Sequence, residues 1–122
     1  MNRDALYFRH MLDAIAKIES YIAVGRETFL TTSLWQDAVI RQLEIIGEAT
    51  KRLSPSIREQ YDAIPWRRMA GLRDVLIHEY MGVDLVAVWE ITQHQLPELK
   101  RTIQLILQPD DGPSGDDTGP LT

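Results

Sequence analysis

Residues 85–107 read LVAVWEITQHQLPELKRTIQLIL, and this stretch decides the fold class of the chain. A stripe of mainly apolar side chains recurs in it at intervals of three and four residues, which is the spacing of one face of an α-helix. Asp84 precedes the stretch as an N-cap, and Pro97 is expected to bend the helix rather than end it, because the stripe continues beyond it. The stripe comprises Leu85, Trp89, Thr92, Leu96, Leu99, Ile103 and Ile106.

Two further long helices are predicted upstream by the same periodicity. One has an apolar stripe over residues 7–22, runs to about Val24 and stops at Gly25, a residue suited to a helix C-terminus. The next has its stripe over residues 35–53. A hydroxyl N-cap for this second helix is offered by three consecutive residues, Thr31, Thr32 and Ser33.

Prolines separate this second helix from a short helix and from another long one. Ser54 and Pro55 are expected to open the short helix, because proline at the first helical position gives up no useful hydrogen bond, and Pro65 is expected to close it. Residues 66–81 then resume the helical pattern until Gly82. Because no segment alternates apolar and polar residues long enough for a strand, the chain is predicted to be all-α, an antiparallel bundle of four main helices plus a short helix.

The composition fits one folded domain followed by a polar tail. A chain of 122 residues is long enough for one core and too short for two. Residues 108–122 are rich in Pro, Gly, Ser and Asp, so we expect a disordered acidic tail there and a helical domain over 1–107. The tail holds four of the 18 acidic residues and no Lys or Arg, which leaves 14 acidic and 13 basic residues in the domain. A near-neutral domain can still bind RNA through a local basic patch.

Residue usage excludes several kinds of site. The chain has no cysteine, which rules out disulfides and cysteine nucleophiles. No His or acidic residues have the spacing of metal ligands, so neither a metal nor a cofactor is expected. We see no signal peptide and no apolar run of about 18 residues, which favours a cytoplasmic protein without membrane contact.

The segment RDVLIHEY, residues 73–80, combines groups that a ribonuclease without a metal needs. Such an enzyme requires a base for the 2′-hydroxyl proton and a cation for the phosphate, which His and Arg supply. In a continuous helix, Arg73 and His78 would lie about 140° apart around the axis. Either the helix distorts or ends near His78, or the two groups meet across an interface with a second copy of the chain.

Each of these residues also has a plain structural interpretation. Asp74 lies one turn before His78 and can orient its imidazole, but such a pair is more often a solvated ion pair than a catalytic dyad. A tyrosine such as Tyr80, judged alone, is more often a core or interface aromatic. His10 and His94 lie in amphipathic helices without a partner motif and are interpreted as structural or surface residues.

Charged residues elsewhere form one stripe and one cluster. The stripe lies on the second helix, where a solvated face laced with weak ion pairs is the ordinary interpretation; it consists of Asp37, Arg41, Glu44 and Glu48. The cluster adjoins the 73–80 segment and would attract RNA phosphates. It consists of Arg67, Arg68 and Arg73, with Lys51, Arg52 and Arg58 expected nearby.

The stretch GLRDVLIHEYMGVDLVAVWEI, residues 71–91, resembles the signature of the HepT family in the HEPN superfamily. That signature is R-x-x-x-x-H-x-Y followed by a short loop and a helix that starts with aspartate, and Arg73, His78 and Tyr80 match it position by position. The resemblance extends to RQLEIIGEATKRLS in the second helix and PWRRMAGLRD before the motif. It therefore covers nearly all of the predicted domain.

The resemblance implies a HEPN-like fold and a dimeric, metal-independent endoribonuclease toxin that cleaves RNA, either tRNA or mRNA. Arg73 and His78 would be its catalytic residues. It also implies a type VII toxin–antitoxin system, in which a MntA-like minimal nucleotidyltransferase antitoxin inhibits the toxin by transferring AMP to Tyr80.

In this family, polar residues of the second helix tend to face the motif helix. Arg41 and Glu44 are therefore expected to line the cleft, with Asp74 in a supporting role. The alternative function is that of a non-catalytic HEPN helical binding partner of a nucleotidyltransferase, although such a scaffold would need neither Arg73 nor His78.

Overall fold

A computed structural model describes residues 3–78 and 84–108, with the backbone alone for 73–78. It is mostly helical in these ranges and has no strand within them, which confirms the all-α prediction. The elements in chain order are α1 (Arg3–Ile22), α2 (Arg26–Thr31), α3 (Ser33–Lys51), α4 (Pro55–Gln60), α5 (Trp66–His78), α6 (Leu85–Glu90), a π-helix (Ile91–Gln95) and α7 (Leu96–Leu107).

The helix α3 is central to the bundle, because it packs against both α1 and α5. Ser54, just beyond the end of α3, is hydrogen-bonded to Asp4 at the start of α1, so these two helices are antiparallel. Trp66 opens α5, and its ring lies 6.4 Å from the ring of Phe8 in the first half of α1. The helix α5 therefore begins at the end of the bundle where α3 finishes, and runs back along α3.

The core is built from the apolar stripes that the sequence predicts. Burying one large apolar side chain stabilises a fold by about 1.5–3 kcal/mol, so these stripes hold the helices together. The most completely buried members of the stripes are Phe8, Met11, Ile15, Ile18, Val39, Leu43, Ile46, Leu99 and Ile103.

Most of the predicted helix ends are confirmed. Gly25 follows α1 with φ of 96°, a left-handed conformation that favours glycine. Pro55 is the first residue of α4, and the Ile57 N–H donates to the Ser54 hydroxyl over 3.4 Å. Asp84 caps α6 in the same way, accepting a hydrogen bond from the Ala87 N–H over 3.1 Å.

The N-terminus of α3 differs from the prediction. Thr32 occupies the N-cap position, but its side chain makes no capping hydrogen bond. The preceding hydroxyl, on Thr31, donates to the Glu27 carbonyl 2.9 Å away. The expected hydroxyl cap is therefore not formed.

A second short helix, α2, was not predicted. Its six residues are too few to display an apolar stripe. Tertiary contacts hold it: Phe29 is fully buried, and its ring centroid lies 5.5 Å from that of Trp89. The other short helix, α4, ends at Gln60, earlier than the predicted stop at Pro65.

The last long helix continues past Pro97, as predicted, but does so through a π-helical segment. Proline lacks an N–H, and in an α-helix its ring would clash with the carbonyl four residues earlier. The wider turn just before it, in which the Leu96 N–H donates to the Ile91 carbonyl, accommodates the ring. The stripe stays in phase, because Leu99 and Ile103 beyond the proline are buried.

Three predicted features lie outside the described residues: Tyr80, the turn at Gly82 and the acidic tail beyond Gln108. Within the described part, no helix is both long enough and apolar enough to cross a membrane.

Candidate active site

The helix α5 carries three of the predicted site residues, Arg73, Asp74 and His78, and it packs on α3. Its backbone is helical over the whole of Trp66–His78, so no break separates Arg73 from His78. Helical geometry then places these two positions about 140° apart around the axis and about 7.5 Å apart along it. The side chains of all three residues lie outside the described part of the chain, as does Tyr80.

Arg41 and Glu44, the predicted cleft residues, line a groove of about 420 Å³ whose described walls come from α1 and α3. Arg41 Nη1 lies 3.9 Å from Glu44 Oε1. The Arg41 side chain is 71% exposed and that of Glu44 is 22% exposed, so solvent weakens the pair. The pair therefore restrains Arg41 little and leaves its charge accessible from the groove. That Arg41 and Glu44 face the motif residues on α5 stays a prediction.

Two residues of the same groove were not predicted as site residues, Tyr7 and His10 on α1. Their rings meet edge to face with centroids 5.9 Å apart. His10 is exposed, in agreement with its interpretation as a surface residue, but it shares this groove with Arg41 and Glu44. No sequence signal links residue 10 to residues 41 and 44, because the antiparallel packing of α1 on α3 brings them together.

The groove thus places an imidazole, guanidinium groups and carboxylates around an apolar floor of Ile45 and Ala49. Such a surface can bind a polar ligand. His94, in contrast, is a surface residue as predicted, since its side chain is 72% exposed and Nε2 lies 3.0 Å from Glu90 Oε1. No described group of three or more His, Asp or Glu residues is arranged to hold a metal ion.

The basic cluster expected around the motif is divided between several grooves. Arg58 lines a shallow groove with Arg67 and a separate pocket with Lys51 and Arg52. Arg68 lines a third, which lies between α5 and the helix that follows and also contains Glu90. Arg67 therefore lies near Arg58, as expected, whereas Arg68 lines a different groove, because neighbouring positions on a helix point in different directions.

The comparisons with known proteins agree with this arrangement of helices and motif. A protein family described as "Ribonuclease HepT-like" matches residues 11–106, which include α5 and the motif. No solved structure matches the chain.

Three relatives illustrate the likeness. A Methanocaldococcus jannaschii protein named "Gamma-glutamylcyclotransferase and putative RNase" is 44% identical over 110 residues, covering 88% of this chain and 50% of that protein. The chain thus spans half the length of this relative. A "Putative RNase" of Caldanaerobacter subterraneus subsp. tengcongensis is 40% identical over 84% of this chain and 92% of its own length. A "Probable ribonuclease HepT" of Thermococcus cleftensis is 42% identical over 77% of this chain and 86% of its own length.

The family match covers well over half of the chain, and it includes most of the helices that form the core and all the residues of the R-x-x-x-x-H-x-Y motif. The chain therefore belongs to the HepT-like ribonuclease family.

Proposed function

We propose that this chain is a metal-independent endoribonuclease toxin that acts as a homodimer, with Arg73 and His78 as its catalytic pair. The observation that carries the proposal is the continuous helix α5, which presents both motif residues and packs on α3 in a chain of the HepT-like family. The proposed activity resides in the helical domain, residues 1–107.

The proposed reaction is an internal transfer at one phosphodiester of RNA. His78 accepts the proton of the 2′-hydroxyl as the 2′-oxygen attacks phosphorus, and the bond from phosphorus to the 5′-oxygen breaks. The 5′-oxygen takes up a proton, so the products are a 2′,3′-cyclic phosphate and a 5′-hydroxyl. Arg73 holds the phosphate oxygens, on which negative charge accumulates in the transition state.

A second copy of the chain is proposed because one regular helix does not direct Arg73 and His78 to the same phosphate. Their angular separation of about 140° places them on different sides of α5. In a twofold dimer, Arg73 of one copy and His78 of the other can face each other across the interface. The second copy also offers an additional proton donor for the leaving 5′-oxygen.

Supporting roles are proposed for Asp74, Arg41 and Glu44. Asp74 precedes His78 by one helical turn and would fix the imidazole tautomer through its carboxylate. Arg41 and Glu44 would line the cleft on α3, where the exposed Arg41 guanidinium can contact a phosphate of the bound RNA.

Regulation is proposed at Tyr80. A MntA-like nucleotidyltransferase antitoxin would transfer AMP from ATP to the Tyr80 oxygen, with pyrophosphate as the leaving group. The new phosphate would compete for Arg73 with the phosphate of RNA, and the nucleotide would block the cleft sterically. This regulation completes the proposed toxin–antitoxin system of type VII.

The decisive experiment is RNA cleavage by the purified chain in EDTA, with His78→Ala as the test variant and His94→Ala as the control. Removing a general base should lower the cleavage rate by at least about 100-fold. His94 lies on a different helix and is paired with Glu90, so its variant should cleave like the wild type. Circular dichroism and size-exclusion chromatography should be the same for all three.

Each other result has a definite meaning. Full cleavage by His78→Ala would overturn the catalytic assignment, and loss of wild-type cleavage in EDTA would overturn metal independence. A folded wild-type dimer that cleaves no RNA, yet binds a nucleotidyltransferase, would favour the non-catalytic binding partner instead.

A further inference from the structure

Positive charge is concentrated at the end of the bundle where α1 begins and α3 finishes. A pocket of about 590 Å³ lies there, within the size range of small-ligand and nucleotide sites. It is called here the basic pocket, and it is lined by Arg3, Asp4, Lys51, Arg52, Leu53, Ser54, Pro55 and Arg58.

The basic pocket is rich in positive charge, whereas the whole chain has a negative net charge. Four of the 13 basic residues line it, although the chain carries a net charge of −5. The one carboxylate among the lining residues, that of Asp4, accepts hydrogen bonds from the Ser54 N–H over 2.9 Å and the Ser54 hydroxyl over 2.6 Å. Asp4 therefore holds the loop after α3 against α1, and the lining residues comprise four cations and this one carboxylate.

The observed contacts of Arg3 and Arg52 leave both guanidinium groups able to bind an anion. Arg52 Nη2 lies 3.4 Å from Glu48 Oε2, but the two side chains are 56% and 44% exposed, so water weakens this pair. The Arg3 guanidinium lies 6.0 Å from the centre of the Tyr7 ring, a contact that uses no N–H donor. Both arginines can therefore donate hydrogen bonds to phosphate oxygens.

The basic pocket lies at the end of the bundle where α5, the helix that carries Arg73 and His78, begins. Trp66 opens α5 at this same end of the bundle, and a helix rises 1.5 Å per residue, so Arg73 lies about 10 Å and His78 about 18 Å along the axis from this end. In a helically stacked strand the phosphates follow one another about every 3.4 Å along the axis, so about three to five stacked nucleotides cover these distances.

We propose that the basic pocket binds the phosphodiester backbone of the RNA substrate, a few nucleotides away from the bond that is cut. The inference rests on the proposed ribonuclease function and adds to it a second region of substrate contact. Contacts to phosphates position a nucleic acid without reading its bases. The pocket therefore supplies affinity and register for single-stranded RNA, and sequence preference must arise elsewhere.

The test is equilibrium binding of a fluorescein-labelled single-stranded RNA of about twelve nucleotides to the full chain carrying His78→Ala, which prevents cleavage. Lys51→Gln with Arg58→Gln removes two charges from the basic pocket. The matched control is Lys17→Gln with Arg26→Gln, two exposed cations, one in the last two turns of α1 and the other at the start of α2. At 0.1 M salt each lost phosphate contact should weaken binding about fivefold, so the pocket variant should bind about 25-fold more weakly.

Salt dependence and charge rescue separate RNA contact from a structural role. The slope of log affinity against log salt should become shallower by about 1.4 in the pocket variant and stay unchanged in the control. Lys51→Arg with Arg58→Lys keeps both charges and should restore binding. ATP added in competition should displace the RNA only at concentrations that act equally on the control variant.

The results distinguish this inference from the proposed function. Unchanged affinity and salt slope in the pocket variant, beside active wild-type cleavage, would overturn the inference alone. Selective displacement of RNA from the pocket by ATP would reassign the pocket to free nucleotide. Absence of cleavage by the wild type would overturn the proposed function, whereas a 25-fold loss in the binding assay would still establish the pocket as an RNA contact.

Discussion

Mixing two inactive variants should restore activity if Arg73 and His78 act from opposite copies. A dimer of one Arg73→Ala chain and one His78→Ala chain has two composite sites. One site lacks both groups. The other combines Arg73 from the His78→Ala chain with His78 from the Arg73→Ala chain. If instead each copy supplied both groups to its own site, every site in the mixed dimer would lack one of them.

The size of the recovery follows from this pairing. Equal amounts of the two chains, refolded together, form mixed dimers in about half of the population, each with one active site of two, so about a quarter of wild-type activity should return. Purification through two different tags isolates the mixed dimer and should raise the value to about half. The measurement is the initial rate of RNA cleavage per dimer. No recovery in a mixed dimer of verified composition would refute the geometry inferred from the regular helix α5, as would a strictly monomeric active enzyme.

Two other predictions concern regulation and stability. The Tyr80→Phe variant should stay toxic and escape neutralisation by the nucleotidyltransferase. Mass spectrometry of the wild type incubated with that enzyme and ATP should place added AMP on the peptide that contains Tyr80. AMP on another peptide would contradict the regulatory role of Tyr80. Asp4→Ala removes two hydrogen bonds to Ser54, a residue 50 positions away in the sequence. Because both bonds are charge-assisted and half-buried, their loss should lower the free energy of unfolding, measured by urea denaturation, by about 2 kcal/mol. The same change should strengthen RNA binding to the basic pocket, and a fall in both quantities would contradict the role given to Asp4.

Local signals allowed most of the helices to be predicted. The stripe that ends at Ile106 and the capping residues Ser54 and Asp84 depend on neighbours within a few positions, so they can be seen in the sequence. The helix α2 could not be predicted, because the burial of Phe29 against Trp89 depends on residues 60 positions away. The π-helix accommodates Pro97, a residue that is visible in the sequence. The choice of a π-helical turn over another distortion, however, depends on how the flanking apolar stripe packs.

The sequence by itself determined the fold class and the motif residues Arg73, His78 and Tyr80, because periodicity, turn chemistry and a motif of fixed spacing are properties of consecutive residues. Only the tertiary structure decided which distant residues share a surface. The antiparallel packing of α1 on α3 joins His10 to Arg41 in one groove, and it gathers four cations from α1, the end of α3 and α4 into the basic pocket. The electrostatic interaction between charged groups depends on their distance in space, and that distance is set by how the apolar faces of the helices pack.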